Sequence, residues 1–144
     1  MSTLLKLDLT VPSRVELVDD LCETVSHCLS TLGFAEDDVY AFDLSVREAV
    51  VNAMKHGNGF DASLLVSMKV EVSDDDCTIR IIDSGKNPKA RPESHSGLLA
   101  PNGRGVVMMK ALMDSVEFAR SGGRFEVVLR KRVQTVRAAQ AALR

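Results

Sequence analysis

Residues 47–58 read Arg-Glu-Ala-Val-Val-Asn-Ala-Met-Lys-His-Gly-Asn, and the interpretation of the whole chain starts from this stretch. Its apolar positions continue a three- and four-residue spacing that begins upstream, which predicts a helix from about Asp37 to His56 that ends at Gly57. Glu48, Asn52 and His56 follow one another at intervals of four residues. They therefore lie on one polar stripe of that helix.

This polar stripe has two interpretations. An asparagine carbonyl is a hard oxygen ligand suited to Mg²⁺, which fills its other positions with water and substrate phosphates. A carboxylate one turn away, at Glu48, would accept the proton of a nucleophile aimed at a γ-phosphate. Taken alone, the stripe is equally typical of a solvent-exposed helix face.

The segments around this helix predict the rest of the fold. Alternating residues indicate strands at residues 5–9, 64–72, 77–83, 116–119 and 125–129. Helical spacing predicts a first helix that ends at Gly33, with Ser13 and Glu16 as its capping box, and a third helix over Gly103–Met113. Because strict βαβ alternation is absent, this order indicates an α+β fold with a mostly antiparallel sheet and helices on one face.

Two glycine-containing motifs accompany the helix. Asp83-Ser84-Gly85 follows an apolar strand, and a carboxylate at the rim of a sheet would accept a hydrogen bond from an amine such as that of adenine. A plain turn is the commoner explanation of such a motif. Gly103-Arg104-Gly105 opens the third helix, where free N–H groups would hold a phosphate, and a flexible hinge explains it equally well. The spacing is that of neither a P-loop nor a dinucleotide fingerprint.

Length and composition limit the class of protein. With 144 residues and near-average hydrophobic (45%) and charged (26%) fractions, the chain is expected to form a single domain, residues 1–144. It contains no apolar stretch long enough for a signal peptide or a membrane span, so a cytoplasmic location without membrane contact is expected. Cys22, Cys28 and Cys77 lack metal-binding spacing and are expected to be buried, reduced thiols.

The net charge of −2 is unevenly distributed. Residues 1–85 sum to −10, whereas residues 86–144 sum to +8. A basic second half favours an anionic ligand, which would be nucleic acid or the phosphates of a nucleotide. No nucleic-acid-binding motif is present.

The three motifs together, in this order and spacing, resemble the N, G1 and G2 boxes of the GHKL (Bergerat-fold) ATP-binding superfamily. The short stand-alone form is similar to the anti-sigma-factor serine kinases, and the resemblance extends from the first strand to about Leu129. It implies a two-layer Bergerat sandwich with a core at residues 4–130 and an ATP lid at about 86–102. A basic C-terminal tail, 131–144, follows, and its composition predicts a solvated helix.

The resemblance also implies ATP and Mg²⁺ as ligands and a role for each motif. Asn52 would bind the Mg²⁺, Glu48 would be the general base, and Asp83 would bind the adenine amine. The other residues expected to bind the nucleotide are His56, Gly85, Gly103, Arg104 and Gly105.

The function implied is that of an ATP-dependent protein serine kinase and anti-sigma factor. Such a protein phosphorylates a STAS-type anti-anti-sigma protein, sequesters a sigma factor and commonly forms a homodimer, without direct contact with nucleic acid. Two departures favour an alternative, a nucleotide-responsive sequestering module without kinase activity. Lys86-Asn87 replaces the usual x-Gly of the G1 box, and Arg124 stands where the closing hairpin often has threonine.

Overall fold

The computed structural model describes residues 3–85, 103–135 and 143. A 3₁₀ turn at Val15–Leu17 precedes the first helix, and a π-helical turn at Ala53–Gly57 follows the second. Within the described ranges the chain forms five strands and three helices: β1 (Thr3–Pro12), α1 (Val18–Thr31), α2 (Glu36–Asn52), β2 (Leu65–Ser73), β3 (Asp76–Asp83), α3 (Gly103–Leu112), β4 (Ser115–Ser121) and β5 (Arg124–Arg132).

The strands form one sheet in the order β1-β2-β3-β5-β4, and every neighbouring pair is antiparallel. Because side chains alternate along each strand, Met68, Ile81 and Val127 lie side by side on one face and are buried. The opposite face carries charged side chains, among them the Arg80–Glu126 pair, whose nitrogen and oxygen lie 3.0 Å apart. The α+β fold predicted from the sequence is confirmed.

The helices cover the apolar face of the sheet. α2 packs against β3 and β5, and α1 packs against α2. Phe42, Val46 and Val50 of α2 are at most 1% exposed, which places them in the centre of the core. This packing brings the C-terminal half of α2 to the end of the sheet where β3 finishes.

Three local predictions need correction. Ser13 does not cap α1, because its hydroxyl donates a hydrogen bond to the Leu64 carbonyl instead (2.7 Å), and α1 has no side-chain cap. The predicted helix to His56 is α-helical only to Asn52 and continues as the π-helical turn. The predicted C-terminal helix is wrong at its start, since β5 continues to Arg132; residues 136–142 and 144 lie outside the described residues.

The prediction for the end of α1 agrees with the structure. Gly33 adopts a left-handed backbone conformation (φ 87°), and its N–H donates to the Ser30 carbonyl. The Phe34 N–H donates to the Leu29 carbonyl, which completes a Schellman motif.

The cysteines are free thiols, and the environment of two of them is apolar. Cys22 and Cys77 are buried, whereas Cys28 is only partly buried. Burial raises the pKa of Cys22 to about 11 and raises that of Cys77 as well. Neither is a thiolate at neutral pH, so these two residues are packing groups rather than nucleophiles.

Candidate functional site

The C-terminal end of α2 meets the end of β3 across a narrow cavity. Asn52 lines it from α2, His56 from the π-helical turn and Asp83 from the last position of β3. Its volume of about 10 Å³ is room for about one water molecule. The rest of the wall is apolar: Ala49, Ala53, Met109, Phe118, Phe125 and Val127. The structure therefore brings together polar residues from two separate sequence motifs.

Asn52 is the least satisfied polar residue of this cavity. It is only 9% exposed, and its amide makes no hydrogen bond to any residue in the described part of the chain. The amide is not sealed off from water, since the fully buried side-chain polar atom that lacks a partner in the described residues is Ser45 Oγ. A site that retains such a group is suited to a ligand that would supply the missing partner.

The donor chemistry at Asn52 fits Mg²⁺ that is shared with a phosphate. Among the described residues, no group of three or more His, Cys, Asp or Glu side chains is arranged to hold a metal ion. Mg²⁺ commonly takes only one or two protein ligands and completes its octahedron with water and substrate phosphates. One amide oxygen beside an anionic substrate meets that requirement.

Glu48 lies one turn before Asn52 and contacts the first turn of α3. A Cβ placed on Gly105 would lie 2.6 Å from both Cγ and Oε2 of Glu48, so a larger residue there would have to displace the Glu48 side chain. The N-terminal turn of a helix carries partial positive charge and free N–H groups. The polar stripe of α2 and the motif at Gly103–Gly105 therefore lie next to each other, in contact through Glu48.

Asp83 and Gly85 form a tight turn where β3 ends. Asp83 is 3% exposed, and one of its carboxylate oxygens accepts a hydrogen bond of 2.7 Å from the Gly85 N–H. Gly85 has φ 72°, and a Cβ there would lie 3.1 Å from the Gly123 carbonyl carbon and 3.3 Å from the Arg124 Cα. Close backbone packing therefore requires glycine at this position.

The remaining predicted site residues do not line the cavity or lie outside the described residues. Gly103 begins α3, as the sequence predicts, and Arg104 is exposed and does not line the cavity. The predicted lid at 86–102, including Lys86 and Asn87, lies outside the described residues.

Two phenylalanines that the sequence did not identify form part of the cavity wall. The rings of Phe118 and Phe125 stack with centroids 6.1 Å apart, and the Arg120 guanidinium lies 5.3 Å from the centre of the Phe125 ring. Both phenylalanines line the cavity. Alternation in the hairpin marks Phe125 as an inward residue, but no local signal places either ring beside Asp83, since that requires the order β3-β5-β4.

A wider hollow lies on the charged face of the sheet. It has a volume of about 620 Å³ and is lined by side chains of both signs, including Lys6, Lys69, Glu71 and Arg80. None of the residues predicted to bind nucleotide lines it. The narrow cavity, rather than the larger hollow, is therefore the candidate site.

The fold has a clear counterpart among solved structures. The crystal structure of the RsbU and RsbW domains of a Mycobacterium tuberculosis protein superposes with a TM-score of 0.69 and 18% sequence identity. The match covers 90% of this chain, which spans 32% of that larger one. The protein thus has the two-layer α+β fold of an RsbW-like domain.

The profile of the histidine kinase-like ATPase domain family matches residues 11–131, and the chain belongs to that family. Among its relatives, the serine-protein kinase RsbW of Staphylococcus epidermidis is 28% identical over 81% of this chain and 80% of its own length. The serine-protein kinase RsbW of Bacillus licheniformis is also 28% identical, over 81% of this chain and 79% of its own. No helix in the described ranges has the length and apolar character needed to cross a membrane.

Proposed function

We propose that this chain is an ATP-dependent protein serine kinase and anti-sigma factor. In this role it phosphorylates a serine of a STAS-type anti-anti-sigma protein and sequesters a sigma factor, as a cytoplasmic homodimer. Membership of the histidine kinase-like ATPase family and the RsbW relatives support the proposal. The observation that carries it is the single cavity between Asn52 and Asp83, with Glu48 one turn away against Gly105.

The proposed binding mode assigns one part of ATP to each side of the cavity. Asp83 would accept a hydrogen bond from the adenine amine, and the base would lie at the mouth of the cavity beside Phe125, since a volume of about 10 Å³ does not enclose it. Asn52 would hold Mg²⁺, which would neutralise charge on the phosphates. The N–H groups at Gly103–Gly105 face the phosphate end, where the helix dipole favours negative charge.

In the proposed reaction, the substrate serine oxygen attacks the γ-phosphorus while the bond from that phosphorus to the β,γ-bridging oxygen breaks. ADP leaves with the electrons of that bond, and the serine proton passes to the Glu48 carboxylate. Glu48 is suited to this step because it adjoins the first turn of α3. This position beside the proposed phosphate end supports the assignment of Glu48 as the base.

The alternative, a nucleotide-responsive sequestering module without kinase activity, is favoured by one observation. Gly85 packs against the backbone of Arg124, the residue that departs from the family's usual threonine. The adenine end of the site therefore differs from the common pattern at a position that touches the Asp83–Gly85 turn.

The test combines binding with phosphotransfer. Purified protein is titrated with Mg-ATP in a thermal-shift assay and then incubated with γ-labelled ATP and a STAS-type partner. We expect wild type to be stabilised by Mg-ATP, Asn52→Ala to lose that stabilisation, and phosphoserine to form on the partner. Glu48→Gln should lower the transfer rate by about 10²–10⁴-fold while sigma binding persists.

Glu71→Gln, an exposed glutamate on the opposite face of the sheet, is the matched control and should keep the wild-type rate. Binding of Mg-ATP without phosphoserine would favour the sequestering module. Absence of any Mg-ATP binding would overturn both functions.

A further inference from the structure

A buried asparagine outside the cavity uses its whole side-chain amide in hydrogen bonds. Asn58 is 4% exposed and follows the π-helical turn, where its backbone N–H donates to the Ala53 carbonyl (3.0 Å). Its side-chain nitrogen donates to the Ser13 hydroxyl (2.8 Å) and to the Leu65 carbonyl (3.1 Å). Its side-chain oxygen accepts from both the N–H (3.0 Å) and the hydroxyl (2.5 Å) of Ser84.

These bonds connect the two sides of the candidate site. Ser84 lies between Asp83 and Gly85, so the Asn58 oxygen holds the turn that carries the Asp83 carboxylate. The Asn58 backbone closes the π-helical turn that carries His56 and directly follows Asn52. The side chain and backbone of one residue therefore couple the end of α2 to the end of β3.

We propose that Asn58 is a positioning residue for the base end of the nucleotide site. Through Ser84 it fixes the Asp83 carboxylate relative to Asn52 and His56, and this sets the affinity for the nucleobase. The inference rests on the proposed nucleotide site and adds a residue that does not line the cavity. It also assigns different roles to the hydrogen bonds of Asn58. The bonds to Ser84 serve the site, whereas the bond to Ser13 joins the end of β1 to the start of β2.

The test compares Mg-ATP with Mg-tripolyphosphate, which has phosphates but no base, by calorimetric titration below the unfolding temperature of each variant. Asn58→Ala removes both bonds to Ser84 and should weaken Mg-ATP binding by about tenfold or more. It should leave tripolyphosphate binding unchanged, because Asn52 and the start of α3 remain. A residue with a purely structural role would not move the ratio of the two affinities.

Three further variants separate positioning from stability. Asn58→Asp keeps an acceptor for Ser84 and should restore Mg-ATP affinity to within about threefold of wild type, despite its lower stability. Ser13→Ala should lower stability without changing the affinity ratio. Ser84→Ala removes one of the two bonds and should weaken Mg-ATP binding by about threefold, which keeps the proposal testable should Asn58→Ala fail to fold.

The outcomes distinguish this inference from the proposed function. If wild type binds Mg-ATP and Asn58→Ala and Ser84→Ala bind it equally well, the positioning role is wrong while the nucleotide site stands. Equal losses for Mg-ATP and tripolyphosphate would also overturn the positioning role. If wild type binds neither, the nucleotide site and the role of Asn58 fail together.

Discussion

Two buried asparagines on either side of the π-helical turn differ in almost every respect except burial. Asn52 has an unpaired amide at the wall of a cavity, and Asn58 donates and accepts two side-chain hydrogen bonds each. A fully satisfied buried amide stabilises the fold, whereas an amide that keeps contact with water and has no protein partner adds little to stability. The Asn58 amide therefore holds the surrounding backbone, whereas the Asn52 amide has no such role among the described residues, which suits it to the proposed ligand.

The largest expected difference between the two asparagines is in their contribution to stability, which is tested by replacing each with alanine in the absence of nucleotide. Asn58→Ala should lower the free energy of unfolding by roughly 3–4 kcal/mol, since it removes the hydrogen bonds of Asn58 to the Leu65 carbonyl and to the Ser84 N–H and hydroxyl. Asn52→Ala removes an amide that has no partner, and alanine is a better helix former, so its effect should stay within about 0.5 kcal/mol. Urea denaturation measures both values.

Equal losses for the two variants would contradict the assignment of Asn52 as an unsatisfied group. They would mean that its amide has a partner in solution and contributes to stability as Asn58 does. A change in the slope of free energy against urea would instead indicate a change in the unfolded ensemble.

The second prediction concerns the backbone that the Asn58 network holds. Gly85→Ala should destabilise the protein by about 2–3 kcal/mol, because a Cβ there has to avoid the Gly123 and Arg124 backbone as well as adopt φ 72°. Gly122→Ala is the matched control: it has φ 58° but no atom within 4 Å of the added Cβ. Its cost should be only the left-handed strain, about 1–2 kcal/mol.

Thermal or urea unfolding of the two variants supplies the comparison. Equal costs would show that the turn at Asp83–Gly85 can move away from the β4–β5 hairpin in solution. The turn that carries Asp83 would then be less rigid than the proposed positioning role of Asn58 requires.

The sequence predicted the periodic parts of this molecule and missed the contacts between distant segments. Alternation and helical spacing located the strands and helices because burial on one face imposes that period. Ser13 was assigned to a capping box because local sequence favours one, but its hydroxyl is used by Leu64 and Asn58, more than 40 positions along the chain. No short-range pattern encodes such a partner.

The candidate site shows the same division. Glu48, Asn52 and His56 share a stripe that spacing alone predicts. The meeting of Asn52 with Asp83, and of both with Phe118 and Phe125, depends on the strand order of the sheet. The resemblance to a known family predicted that these motifs form one nucleotide site, and the residue periodicity by itself did not.

The smallest expected effect on stability concerns the contact between Glu48 and Gly105, near the cavity. Glycine in a helix is less favourable than alanine by about 1 kcal/mol, so Gly105→Ala should stabilise α3 unless its Cβ meets another group. In this structure that Cβ would meet the Glu48 side chain. We therefore expect Gly105→Ala to be neutral or destabilising in wild type and stabilising in the Glu48→Ala background, with a coupling of about 1–2 kcal/mol.

A double-mutant cycle in urea measures this coupling without nucleotide or partner protein. Additive effects would place the Glu48 carboxylate away from the start of α3, and the argument that it adjoins the phosphate end of the site would lose its geometric basis. A coupling of the expected size would instead fix Glu48 at that helix end. Glu48 and Asn52 would then both face the ligand, whereas Asn58, two residues beyond His56, binds only to the protein.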